Sequence, residues 1–144
     1  MMDKRLQRFT QILEGIPNNE QALSHSVSDI CVISWGSSKG PIIDAIEMLK
    51  NEGVSIGFIQ IKLLHPFPKQ VLEPLLKDCK TLIDIESNQT AQLGSLIKQN
   101  LLREPDYYVL KYTGRAMTCD EIYDSLKKIV NHKAEKREVL TYGA

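Results

Sequence analysis

The stretch ICVISWGSSKGPIIDAIEML, residues 30–49, decides the fold. Its first six residues are mostly apolar, rich in β-branched side chains, and do not alternate between polar and apolar. A strand of that kind is buried on both faces. A turn of Gly36, Ser37, Ser38, Lys39 and Gly40 follows, and Ile42, Ile43, Ile46 and Leu49 then recur at helical spacing. The helix is expected to start near Ser37 or Ser38. Pro41 falls in its first turn, where a missing N–H costs little, and Asn51-Glu52-Gly53 stops it.

The same strand-then-helix order runs outward from this unit. Residues 54–61 form a second apolar run, and Val71, Leu72, Leu75 and Leu76 mark a short helix after Pro68. Residues 81–85 form a third run, followed by Leu93, Leu96, Ile97 and Leu101 at helix period. Residues 107–112 form a fourth, with Tyr107, Tyr108 and Lys111 suggesting an edge strand; Ile122, Leu126 and Ile129 mark the last helix. Thr118 with Glu121 three residues on reads as a capping box opening that helix. Strands buried on both faces and alternating with helices predict a three-layer α/β domain, with a mainly parallel sheet and helices on both faces.

In front of this unit, Leu6, Phe9 and Leu13 predict an amphipathic helix over residues 1–16, broken by Pro17-Asn18-Asn19. Residues 17–28 read as a polar, Ser-rich linker, 29–131 as the α/β domain, and 132–144 as a C-terminal tail.

Composition narrows the function. The 144 residues suit one domain. Lys plus Arg is 18 and Asp plus Glu is 18, so no global field draws the chain to nucleic acid or to an anionic membrane. The basic stretch 127–137 reads as a solvated helix end. Aromatic residues are 6 %, too few for a base-stacking platform. No apolar run is long enough to span a bilayer, and the charged first eight residues do not resemble a secretory signal. Cys31, Cys79 and Cys119 are widely spaced and lack a CxxC pair, so no zinc or iron–sulfur site is expected here. They read as three reduced thiols of a cytoplasmic protein.

Ligands of open α/β sheets bind outside the carboxyl ends of the strands, and four loops fall there. The Gly36–Gly40 turn offers amides to an anion or is simply a capped turn; it is neither a Walker loop nor GxGxxG. His65-Pro66-Phe67-Pro68 is stiff, presenting His65 to a neighbour or plugging the core with Phe67. His25 and His132 show no spacing that pairs them with His65 around a metal. Glu86 ends the third strand, where a carboxylate can accept amides from the next helix and stay ionised. With Asn88 and Gln92 it forms a polar cap cluster or one that faces a partner. Arg115 projects from a turn at Gly114, ready to clamp an anion or to make a surface ion pair. No nucleophile elbow and no carboxylate–histidine pair accompanies them.

These loops carry a resemblance. Gly36-Ser37-Ser38-Lys39-Gly40, Pro66-Phe67-Pro68, Glu86-Ser87-Asn88-Gln89-Thr90 through Gln92-Leu93, and Gly114-Arg115 through Thr118 with Glu121-Ile122 are similar to the C-terminal, transketolase-like domain of the alpha subunit of 2-oxoacid:ferredoxin oxidoreductases. The helix with Lys4-Arg5 resembles the segment leading into that domain. The chain departs from the family at Ala91, where Gly is usual, and at Ala116, where Pro is usual. The resemblance implies a whole enzyme that decarboxylates a 2-oxoacid on thiamine diphosphate with Mg, passes electrons through an iron–sulfur cluster to ferredoxin, and delivers the acyl group to coenzyme A. This chain would bind none of these alone and would have no catalytic residue of its own. Its partners would be the remainder of the alpha subunit and the beta subunit, with Gly36, Ser37, Ser38, Lys39, His65, Glu86, Asn88, Gln92 and Arg115 as candidates for the interface or for an anion. Two other readings stand beside it: the matching domain of a transketolase or E1-type 2-oxoacid dehydrogenase, and a free-standing phosphate- or nucleotide-binding module at the first loop.

Overall fold

A computed structural model describes residues 2–141. Helix α1 (Met2–Gly15) and a single turn, α2 (Asn18–Gln21), precede strand β1 (Ala22–Ser26). Then come β2 (Ile30–Trp35), a 3₁₀ turn at Gly36–Ser38, α3 (Lys39–Asn51), β3 (Gly57–Ile61) and α4 (Lys69–Leu76). The chain continues through β4 (Thr81–Glu86), α5 (Gln92–Leu101), β5 (Tyr107–Lys111), α6 (Cys119–Val130) and β6 (Arg137–Leu140). The sheet has six strands in the order β1-β3-β2-β4-β5-β6. Only β1 is antiparallel to its neighbour; the remaining pairs are parallel.

Period-two alternation along the strands splits the core in two. Val32, Phe58, Ile83, Ile85 and Val109 pack against Ile42 and Ile46 of α3 and Ile122 and Leu126 of α6. Ile33, Ile59, Ile61 and Leu82 pack on the opposite face against Leu72 of α4 and Leu93 and Ile97 of α5. Both faces are covered, as the non-alternating runs require.

Three boundaries differ from the sequence reading. Residues 17–28 are not a linker throughout, because β1 lies there, paired with β3. Its short polar side chains hid it: Ser26 Oγ accepts from the Phe58 amide at 3.0 Å and donates to the Ile56 carbonyl at 3.2 Å, stitching the edge where packing contributes little. Residues 132–141 are not merely a tail, because β6 extends the sheet and buries Leu140. For the same reason β5 is an interior strand rather than an edge. Residues 142–144 of the expected tail lie outside the described residues.

Candidate functional site at the carboxyl rim of the sheet

The parallel order β3-β2-β4-β5 reverses direction of travel at β2, so the crevice beyond the ends of β2 and β4 is the topological switch point. A crevice of about 310 Å³ lies there, lined by Trp35, Gly36, Ser37, Ser38, Ser87, Asn88 and Gln92. Gly36 takes φ +72°, a left-handed value that suits glycine and turns the chain from strand into helix. Ser38 is buried but makes no side-chain cap for α3, so the expected Ser cap is absent. Lys39 is exposed at the start of α3.

Beneath the crevice lies Glu86, 1 % exposed. Its Oε1 accepts the amides of Leu93 at 2.8 Å and Gly94 at 3.1 Å, so it caps α5 from outside that helix. Its Oε2 accepts from Asn88 Nδ2 at 2.6 Å and from the Trp35 indole N–H at 3.2 Å. Asn88 Oδ1 in turn accepts the Thr90 amide at 3.1 Å and the Gln92 amide at 3.4 Å. This network explains how α5 can follow Ala91, its cap position, which has φ +54° and offers no side-chain cap. A left-handed Ala costs about 1 kcal/mol relative to Gly. That cost is the structural meaning of the Ala91 departure noted above, and Glu86 offsets it.

Two residues along β4, on the same face, stands Asp84, fully buried, with neither carboxyl oxygen receiving a hydrogen bond. Burial first, then the neighbouring Glu86 carboxylate, push its carboxyl up to about 10. Burial also acts against ionised Glu86. The neighbouring Asp84 carboxyl and hydrogen bonds from the Leu93 amide, Asn88 and the Gly94 amide outweigh it and hold Glu86 below the usual carboxylate range. The two shifts run in opposite directions and favour the proton of the pair on Asp84. Gly94 makes room for the arrangement: a Cβ there would lie 2.5 Å from Asp84 Oδ2 and 2.8 Å from Tyr108 Cε1.

The other two loops sit farther along the rim. His65 is exposed, and its ring meets that of Phe9 of α1 edge-on, with centroids 5.0 Å apart. Phe67 packs against the α4/α5 core, so the plugging role holds. Arg115 is exposed on the turn that Gly114 opens at φ +81°. Buried Lys111 braces that turn, donating to Glu121 Oε1 at 2.8 Å, Oε2 at 2.9 Å and the Ala116 carbonyl at 3.1 Å. The capping box is formed as expected, with the Glu121 amide donating to Thr118 Oγ1 and the Thr118 amide to Glu121 Oε2.

The structure thus gathers Gly36, Ser37, Ser38, Asn88 and Gln92 around one crevice, sinks Glu86 beneath it, and leaves Lys39, His65 and Arg115 exposed around it. Sequence reasoning missed Trp35 and Asp84. The signal for Asp84 was there: a lone Asp between Ile83 and Ile85 in a strand expected to be buried on both faces.

Comparison with known proteins places this architecture. Residues 28–122 match the family described as pyruvate:ferredoxin oxidoreductase core domain II. The chain belongs to that family. It is 39 % identical, over its whole length, to the 2-oxoacid:ferredoxin oxidoreductase subunit alpha of Saccharolobus solfataricus, and spans 23 % of that protein. A solved 2-oxoglutarate:ferredoxin oxidoreductase from Magnetococcus marinus, with 2-oxoglutarate, coenzyme A and succinyl-CoA bound, matches 89 % of this chain at 26 % identity and TM-score 0.79. The match takes in 22 % of that chain. The solved alpha chain of a probable 2-oxoacid ferredoxin oxidoreductase from Thermoplasma acidophilum is 42 % identical, with TM-score 0.54, over 78 % of this chain and 98 % of its own. A split-gene transketolase at 16 % identity and TM-score 0.63, over 80 % of this chain and 43 % of that one, shares the fold. The transketolase-like α/β architecture expected above is therefore present. The chain spans about a quarter of the length of the first curated relatives it matches. Among the described residues, no helix is long and apolar enough to cross a membrane.

Proposed function

We propose that this chain serves as an assembly domain of the alpha subunit of a thiamine-diphosphate-dependent 2-oxoacid:ferredoxin oxidoreductase, shaping the site that other domains complete. The observation that carries this reading is the chemistry of the rim. The crevice is walled by an indole, hydroxyls and amides, with no acid, base or thiol on its lining. The one carboxylate beneath it is fully engaged by its own chain. Such a surface can receive polar groups of a partner or of coenzyme A, but it has no group free to move a proton.

Thiamine diphosphate, when bound in the whole enzyme, supplies the nucleophilic carbon and the electron sink for decarboxylation. Among the described residues, no group of three or more His, Cys, Asp or Glu side chains could hold a metal ion. The residues present do not fit Mg or an iron–sulfur cluster, and no step on this chain runs through them. The remainder of the alpha subunit, the beta subunit and ferredoxin are the partners this reading requires. The exposed apolar side chains of α1, Leu6 at 65 % and Ile12 at 46 %, suit contact with such neighbours.

The test uses the intact enzyme. Arg115→Glu is expected to lower 2-oxoacid-dependent viologen reduction roughly 10- to 100-fold, because a displacement near 1 Å far from the chemistry costs that much. The melting temperature of the chain should not change. The chain alone should reduce no viologen. Unchanged turnover in the variant, or activity of the isolated chain, defeats the proposal.

A further inference from the structure

At the end of the sheet opposite the rim, Cys31, the second residue of β2, and Cys79, in the turn between α4 and β4, share the α4/α5 core. Both are buried, at 2 % and 6 % exposure. Their backbones are held together from both sides. The Asp29 carbonyl accepts the amides of Lys80 at 2.7 Å and Thr81 at 2.9 Å, and Ile30 pairs with Thr81 in the parallel ladder. Arg103 fixes the turn itself, donating to the carbonyls of Leu76 at 2.8 Å and Cys79 at 2.5 Å. The two thiols lie close enough in that core for each to shift the other's titration. The Cys31 thiol also reaches the Ser28 carbonyl at 3.0 Å, and the Cys79 thiol reaches that of Thr81 at 3.2 Å.

We propose that Cys31 and Cys79 form a redox-sensitive dithiol that a peroxide converts to an intramolecular disulfide, a modification site independent of the rim. Cys31 is the attacking sulfur. The neighbouring Cys79 thiol first, then the Ser28 backbone and the nearby Arg103 charge, bring its thiol down to about 7 against the opposing effect of burial. The same contact, together with burial, pushes the Cys79 thiol up, so Cys79 keeps its proton until the second step. In the first step the Cys31 thiolate attacks a peroxide oxygen, the O–O bond breaks, and hydroxide leaves. In the second, the Cys79 sulfur attacks the Cys31 sulfenic acid, the S–O bond breaks, and water leaves with the Cys79 proton. The thiols lose two electrons and two protons, and one peroxide becomes two waters. The backbone ties keep the two side chains in one corner of the core, and the sulfurs close there to a bond of about 2.05 Å. Cys119 is the internal control. It is more exposed, but burial and the charges of Asp44 and Asp120 push its thiol up, and it donates to the Met48 sulfur at 3.4 Å.

Reactivity should therefore run against exposure. The chain is treated with hydrogen peroxide below one equivalent of total thiol, unfolded in alkylating reagent, and mapped without reduction. The expected result is a linked Cys31–Cys79 peptide pair, with Cys119 alkylated. Carried to completion, the reaction should remove two of the three free thiols. Cys119→Ser should leave that yield unchanged, and Cys79→Ser should trap Cys31 as a dimedone-reactive sulfenic acid. Preferential oxidation of Cys119, a disulfide between chains, or three intact thiols overturns the proposal. Should Cys79→Ser fail to fold, the wild-type map alone decides.

Discussion

The two faces of β4 are equally buried and chemically opposite. On one, Ile83 and Ile85 press into the α3/α6 core, fully out of water. On the other, Asp84 and Glu86 are just as deep, 0 % and 1 % exposed, against α5. The apolar face gains free energy from burial alone, about 25 cal/mol for each Å² removed from water. On the other face Leu82 gains in the same way, but the two carboxyls do not and must recover their desolvation cost through hydrogen bonds. They do so asymmetrically: Glu86 has four donors at 2.6–3.2 Å, while Asp84 has none and holds a proton instead. One face holds the layers together. The other aims the rim, joining β2 through Trp35, the loop through Asn88, and α5 through its first amides.

That contrast breaks most visibly on the apolar face. Ile85→Ala should cost about 3 kcal/mol by transfer and cavity, read as a fall in urea midpoint with the slope preserved, and the loss should be the same at pH 5 and pH 8. Glu86→Gln should cost less, about 2 kcal/mol, since four donors then meet a group that is itself half donor. This loss should depend on pH. The folded carboxyl lies below its ordinary 4.5, so its contribution is complete above that pH and fades as pH falls through the folded value. A Gln variant equally destabilised at pH 3 and pH 7 would remove Glu86 from its place as the ionised member of the pair.

The apolar face was legible in the sequence and the polar face only in part. Ile30, Val32, Ile33, Ile83 and Ile85 announce strands covered on both sides, because nothing else lets such runs remain soluble, and the helices betray themselves by period. Glu86 was legible as an acceptor of amides because its strand-end position is enough to argue it. Its depth was not: it was expected on the rim, but the two amides it caps lie below the loop, and Trp35 from another strand closes over it. Asp84 could not be assigned from one chain segment, since its state depends on Gly94 and Tyr108, brought in from α5 and β5. Strands β1 and β6 were missed for another reason. Edge strands are held by backbone pairing, with Leu140 and Ala22 the only fully buried apolar anchors in them, so no periodic pattern marks them.

The finest test separates the proton of Asp84 from its shape. Its folded carboxyl lies near 10 and its unfolded one near 3.8, so between those limits the folded chain holds a proton that the unfolded chain does not. The stability this proton confers is complete below the unfolded value and drains as pH rises towards the folded one. The slope is at most about 1.4 kcal/mol per pH unit for one proton, and about 1 is expected here. From pH 6 to pH 8 the wild type should thus lose about 2 kcal/mol in urea unfolding. Asp84→Asn keeps the shape and still presents an N–H to Glu86, but cannot release a proton. Its stability should be nearly flat over that interval, whatever its absolute value. If the two curves run parallel, the proton is not on Asp84, and the polar face of β4 is held by some arrangement other than a shared acid.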